Sequence, residues 1–106
     1  MHKIELLYFD GCPSWQSGLA ALQQVMASEN LDFPIRMIEI KTPEQAQSEH
    51  FLGSPSYRVD GVDLWPETRH TYDLSCRVYQ TAHGLRGIPT NEMLRARINE
   101  RLASQS

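Results

Sequence analysis

Cysteine is scarce: Cys12 and Cys76 are the only two in 106 residues. That is too few for a disulfide framework and, without other donors, too few for a tetrahedral zinc site, so the sulfurs serve local chemistry. Long apolar runs are missing as well, and nothing approaches the roughly 20 consecutive residues that a membrane-spanning helix needs. Glu5 and the polar residues near Gln16 interrupt the start, which argues against the apolar stretch and small-residue cleavage site of a secretory leader. The expectation is a cytoplasmic protein with no membrane partner. Basic excess is the third absence. Ten Lys and Arg against thirteen Asp and Glu leave a formal charge of −3, with no block of either sign. Nucleic acid, which is held by a basic stripe, is not an expected partner.

What remains is the composition of one compact domain spanning residues 1–106. Hydrophobic residues make up 41% and charged residues 22%, too apolar and too weakly charged for a disordered tail. No internal repeat is visible.

Lys3 to Phe9 reads K-I-E-L-L-Y-F, a nearly continuous apolar run of β-formers and the pattern of a central strand buried on both faces. Asp10-Gly11 ends it, and Pro13, directly after Cys12, suits the first helical position because its missing N–H has no intrahelical partner there. Trp15, Leu19, Leu22 and Met26 then form one helical stripe with a stop at Asn30, while Gly18 either weakens the helix or admits a close neighbour. Phe33 to Ile40 predicts a second strand. Thr42-Pro43-Glu44-Gln45 reads as a capping box opening a short helix that ends between Phe51 and Gly53. A strand, helix and strand of this size predict a parallel pair.

Asp60-Gly61, flanked by short β-like runs, is a hairpin signal, since both residues tolerate positive φ. From Trp65 to Gly87 no clean period appears, and a partial helix is expected near Leu74 to Thr81. Thr90 caps a last helix with Leu94, Ile98 and Leu102 inward and Arg95, Arg97, Glu100 and Arg101 toward water. The predicted order is β-α-β-α-β-β-α, an α/β fold with a mixed four-stranded sheet and three helices.

Cys12 falls where a strand gives way to a helix, and unpaired backbone N–H groups with the positive end of the helix dipole favour a thiolate there. This element order, with C-P-S-W at the junction, resembles the thioredoxin superfamily over most of the chain. The segment G-S-P-S-Y-R-V-D-G is similar to that superfamily's Gly-Thr-Pro-Thr stretch. The resemblance implies a cis proline at Pro55 beside the thiol, and a Ser54 backbone open to the extended chain of a thiol-bearing partner. Where a dithiol enzyme carries its second cysteine this chain has Trp15, as in the single-thiol glutaredoxins, for which glutathione is the implied co-substrate.

On that reading Cys12 is the nucleophile and Ser14, with the N–H groups around it, supports the sulfur anion. Cys76, in D-L-S-C-R-V-Y, is either the resolving thiol or a small buried hydrophobe. Ser54, Pro55, Trp15 and Arg77 are the candidate substrate-side residues, Arg77 as a cation beside a thiolate or as plain solvated surface. The partner is a thiol- or disulfide-bearing small molecule or protein. Trp15, Trp65, Tyr57 and Tyr72 either line a groove around the thiol or pack in the core. The histidines lack the spacing of a helical metal pair and read as surface. The alternative function is a binding module without turnover, whose two thiols hold a protein partner or a soft metal such as mercury or zinc, with His70 as a possible third ligand.

Overall fold

The structure, a computed structural model, describes residues 2–104. Its elements are β1 (Ile4–Tyr8), α1 (Trp15–Ser28), β2 (Ile35–Glu39), α2 (Pro43–Glu49), β3 (Ser56–Val59), β4 (Val62–Asp63), β5 (Tyr79–Thr81), β6 (Gly84–Arg86) and α3 (Asn91–Ala103). The main sheet is mixed, in the order β2-β1-β3-β4. β1 runs parallel to β2, with Leu6 opposite Met37, and antiparallel to β3, with Leu6 opposite Tyr57.

The continuous apolar character of β1 follows from its central place, because alternate side chains reach two different cores. Ile4 and Leu6 join Leu22, Val25 and Met26 of α1, Leu94 and Ile98 of α3, and Tyr57 and Val59 of β3. Leu7 points the other way, to Ile40, Ala46 and Phe51 beside α2. Burying each of these large side chains contributes about 1.5 to 3 kcal/mol. The predicted stripe of α1 is rotated slightly: Gly18, Ala21, Leu22, Val25 and Met26 are buried, while Trp15 and Leu19 are only partly covered.

Half of the capping box forms as expected, and the reciprocal bond, expected from Gln45 to the Thr42 N–H, lands one residue earlier. Thr42 Oγ1 accepts the Gln45 N–H at 3.0 Å, and Gln45 Oε1 reaches back to the N–H of Lys41 rather than that of Thr42. Thr90 Oγ1 likewise accepts from Met93 N at 3.1 Å. Asp60 and Gly61 take φ of 53° and 83° between β3 and β4, as the hairpin signal predicts. In α3, Leu94 and Ile98 are buried, Arg97 lies over the Trp65 ring, and Arg101 is half-buried instead of facing water.

Two expectations fail. Pro13 is not the first helical residue: Cys12, Pro13 and Ser14 form a lead-in turn and α1 opens at Trp15. No helix forms over Leu74 to Thr81 either. The backbone of 75–77 pairs instead with Ser54, and Tyr79–Thr81 becomes half of a separate hairpin with β6. The run R-V-Y-Q-T alternates inward Arg77, Tyr79 and Thr81 with outward Val78 and Gln80, a period of two that suits a strand and not a helix.

Candidate functional site

The site gathers at the end of β1, where three segments converge. The turn after β1 closes with Cys12 N–H on Phe9 O at 3.1 Å. The sulfur of Cys12 then accepts the Ser14 N–H at 3.4 Å and lies 3.4 Å from Ser54 O, to which its S–H donates. One contact suits a thiolate and the other a thiol, so the sulfur sits between a donor and an acceptor. The Ser14 hydroxyl makes no capping bond to α1, and its contribution to the sulfur is the main-chain N–H.

The second segment is the loop before β3. Its Ser54–Pro55 peptide is cis, and both residues are buried. Pro55 is wedged beside Gly18 of α1, where a β-carbon would lie 2.7 Å from the proline ring. This is the close neighbour that the glycine admits. Tyr57 donates its hydroxyl to Gly18 O at 3.1 Å, and Tyr79 donates to Pro55 O at 2.6 Å. Burial raises the pKa of both phenols, so they stay neutral donors.

The third segment, Ser75 to Arg77, is a strap laid along Ser54. Ser54 N donates to Ser75 O at 2.8 Å and Arg77 N to Ser54 O at 3.0 Å, which sets Cys76 opposite Ser54 in an isolated parallel bridge. The strap brings Cys76 to Cys12. Partial desolvation of its sulfur first, then hydrogen bonding with Cys12 and the charge that Cys12 would carry, push the Cys76 thiol above its ordinary pKa. Both thiols are free; Cys12 is buried and Cys76 exposed, so the buried-hydrophobe reading of Cys76 does not hold.

Other sequence-picked residues stand apart from the sulfurs. Arg77 is 4% exposed, and its guanidinium turns away to the Asp63 carboxylate at 2.9 and 3.0 Å, to Ser56 Oγ at 3.1 Å and to Trp65 O. A guanidinium with a carboxylate in such reach stays there, and neither reading given to it, thiolate cation or solvated surface, describes it. Trp15 stacks on Tyr8 with ring centres 4.2 Å apart, Tyr57 is buried in the core, Trp65 packs edge-on against Tyr79, and Tyr72 meets His50, so the four aromatics are engaged in separate packing contacts. Among the described residues no three His, Cys, Asp or Glu side chains gather, and His70 does not join the thiols. The backbone edge of Ser54, expected to receive a partner's chain, is filled by the strap.

Missed by sequence reasoning were Asp63, Ser56 and Gly53, which hold the strap. Gly53 has φ of +112°, and a β-carbon there would lie 2.9 Å from Arg77 Cβ. A cavity of about 630 Å³ also went unforeseen; it opens between the lead-in turn of α1 and the β6–α3 connection. Its only signals were the Gly87 and Pro89 breaks. Among the described residues no helix is long and apolar enough to cross a membrane. Comparisons with protein-family models, with curated proteins and with solved structures returned no match.

Proposed function

We propose that the protein is a thioredoxin-like thiol–disulfide redox protein whose working couple is Cys12 and Cys76. The observation that carries this reading is that both cysteines stand against one residue, Cys12 with its sulfur 3.4 Å from Ser54 O and Cys76 opposite Ser54 in the parallel bridge. In it, Cys12 sulfur attacks a substrate disulfide, forming a bond to one substrate sulfur and expelling the other as thiolate. The Ser14 N–H, aimed at the sulfur, supports the anion that attacks. Cys76 yields its proton to the expelled sulfur and attacks Cys12 Sγ, which releases the second substrate sulfur as a thiolate and leaves a Cys12–Cys76 disulfide; the proton that Cys12 gave up to solvent on attack returns to that thiolate. The substrate gains two electrons and the protein loses them. Trp15, standing where a second cysteine of a C-x-x-C would be, leaves the resolving role to the strap.

The test is a single turnover. Reduced protein treated with hydroxyethyl disulfide is expected to yield a peptide pair cross-linked through Cys12 and Cys76. Cys76→Ser is expected to stop at the mixed disulfide on Cys12, and Cys12→Ser to give no cross-link. Wild-type protein that forms adducts on Cys76 alone, with no cross-link, overturns the reading.

The same thiol pair favours a second reading, a clasp for a soft cation. Two sulfurs suit a two-coordinate ion such as mercury(II), whereas zinc asks for four donors that the described residues do not assemble here. Equimolar mercury(II) binding that disappears in both single serine variants, together with failure to turn over any disulfide, selects this clasp over the redox couple.

A further inference from the structure

Resting on the redox reading above, we infer that the disulfides reduced at this site are small and acidic, and that disulfides within polypeptides are excluded. The first ground is the strap. A polypeptide aligned beside Cys12 needs the Ser54 N–H and C=O, and both are already bonded to Ser75 and Arg77. The strap does not leave easily. Its Arg77 is held by the Asp63 carboxylate, by Ser56 Oγ, which itself donates to Gly53 O, and by Trp65 O. Cys12 is 3% exposed, a burial that itself limits the size of what reaches its sulfur.

The second ground is the cavity beside the lead-in turn that carries Cys12. Its wall includes Pro13 and Ser14, the two residues that follow Cys12, and the Ser14 N–H reaches Cys12 Sγ at 3.4 Å. At about 630 Å³ the cavity holds a small molecule, not a folded loop. Its charge is one-sided. Arg86 lines it, His83, Ser17 and Asn91 add polar groups, and no Asp or Glu is among the lining residues. Arg86 is exposed and has no described carboxylate within ion-pair distance; its guanidinium donates to Leu85 O, so it is free to pair with an incoming anion. In a protein of net charge −3 this cation is set for a carboxylate on the substrate.

The chemistry is that of the single turnover: the acidic disulfide becomes two thiols while the protein dithiol becomes the Cys12–Cys76 disulfide. The experiment measures second-order rates of fully reduced protein with four probes: dithiodipropionate (anionic), hydroxyethyl disulfide (neutral), cystamine (cationic) and insulin. The expected order is dithiodipropionate first and cystamine last of the small probes, with insulin left unreduced. Salt is expected to narrow the spread. Arg86→Glu is expected to lower the ratio of the dithiodipropionate rate to the cystamine rate by about tenfold or more, and Arg86→Lys to preserve the order. Insulin reduced as fast as the small probes overturns the inference, as does an order indifferent to charge in the wild type, and in both cases the redox couple stands. Reaction with none of the four overturns the redox reading and this inference together.

Discussion

Gly53 and Arg77 lie backbone to backbone: a β-carbon on the glycine would come within 3.0 Å of the arginine's N and Cα. Those atoms belong to a paired main chain and cannot swing aside. Gly53→Ala therefore combines the conformational cost of φ +112° with a collision that lifts the strap. Gly61 makes the comparison, because its φ is +83° but a β-carbon there meets nothing within 4 Å. Gly61→Ala is expected to lose about 1 kcal/mol and Gly53→Ala at least about 1 kcal/mol more, read from urea unfolding midpoints. Equal losses would mean that the strap does not press on the glycine.

The Arg77–Asp63 pair predicts an asymmetry between single and double variants. Both side chains are nearly enclosed, at 4% and 11% exposure. Asp63→Ala leaves a buried guanidinium without its counter-charge and is expected to cost about 3 to 5 kcal/mol. Replacing both partners with Asp63→Leu and Arg77→Met removes the charges together and is expected to cost clearly less. A double variant at least as unstable as Asp63→Ala would show that the pair is not the source of the loss.

At Gly18 two effects of alanine oppose each other. In an open helix Gly→Ala gains about 1 kcal/mol. Here the new methyl would sit 2.7 Å from both the Pro55 ring and the Tyr57 hydroxyl, and overpacking of this kind costs about 1 to 3 kcal/mol. Gly18→Ala is expected to destabilise on balance. Tyr57→Phe in the same background is expected to recover part of the loss by vacating the hydroxyl, an outcome that thermal unfolding of the two variants checks directly.

The raised pKa of Cys76 carries a pH prediction. A thiol held protonated above its usual range presents less thiolate at a given pH, so Cys76 should alkylate slowly despite its exposure. Partial desolvation is the first cause and persists in Cys12 variants; the hydrogen bond and charge of Cys12 are the rest. Cys12→Ser removes the charge. Its Cys76 is expected to react with iodoacetamide severalfold faster at about pH 8, with the midpoint of the rate profile moved down toward the ordinary thiol value near 8.5. An unmoved profile, measured by mass spectrometry of the labelled peptide, would show that the sulfurs do not sense each other.

The central strand, the Thr42 and Thr90 caps and the Asp60-Gly61 turn were legible because each rests on neighbours within a few residues. A run such as I-E-L-L-Y, or threonine three residues before a free N–H, carries its own physical reason. The start of α1 was misplaced by two residues, since Pro13 fits a lead-in turn as well as a first helical position. The strap was not legible at all. Residues 75–77 take an extended path because Ser54, more than twenty positions earlier, offers them an N–H and a C=O, and no local pattern encodes a partner that remote. For the same reason Arg77 looked like a free cation until Asp63 was found beside it.

The amino-acid order alone determined that a sulfur follows the first strand, that a helix begins just beyond it, and that a serine-proline step precedes the hairpin. Only the tertiary structure decided which sulfur is covered, which is exposed, and that both cysteines meet at Ser54. Local sequence governs backbone conformation over a few residues, whereas burial and the meeting of the two cysteine segments depend on parts of the chain brought together by the sheet, whose distance along the chain no periodicity records.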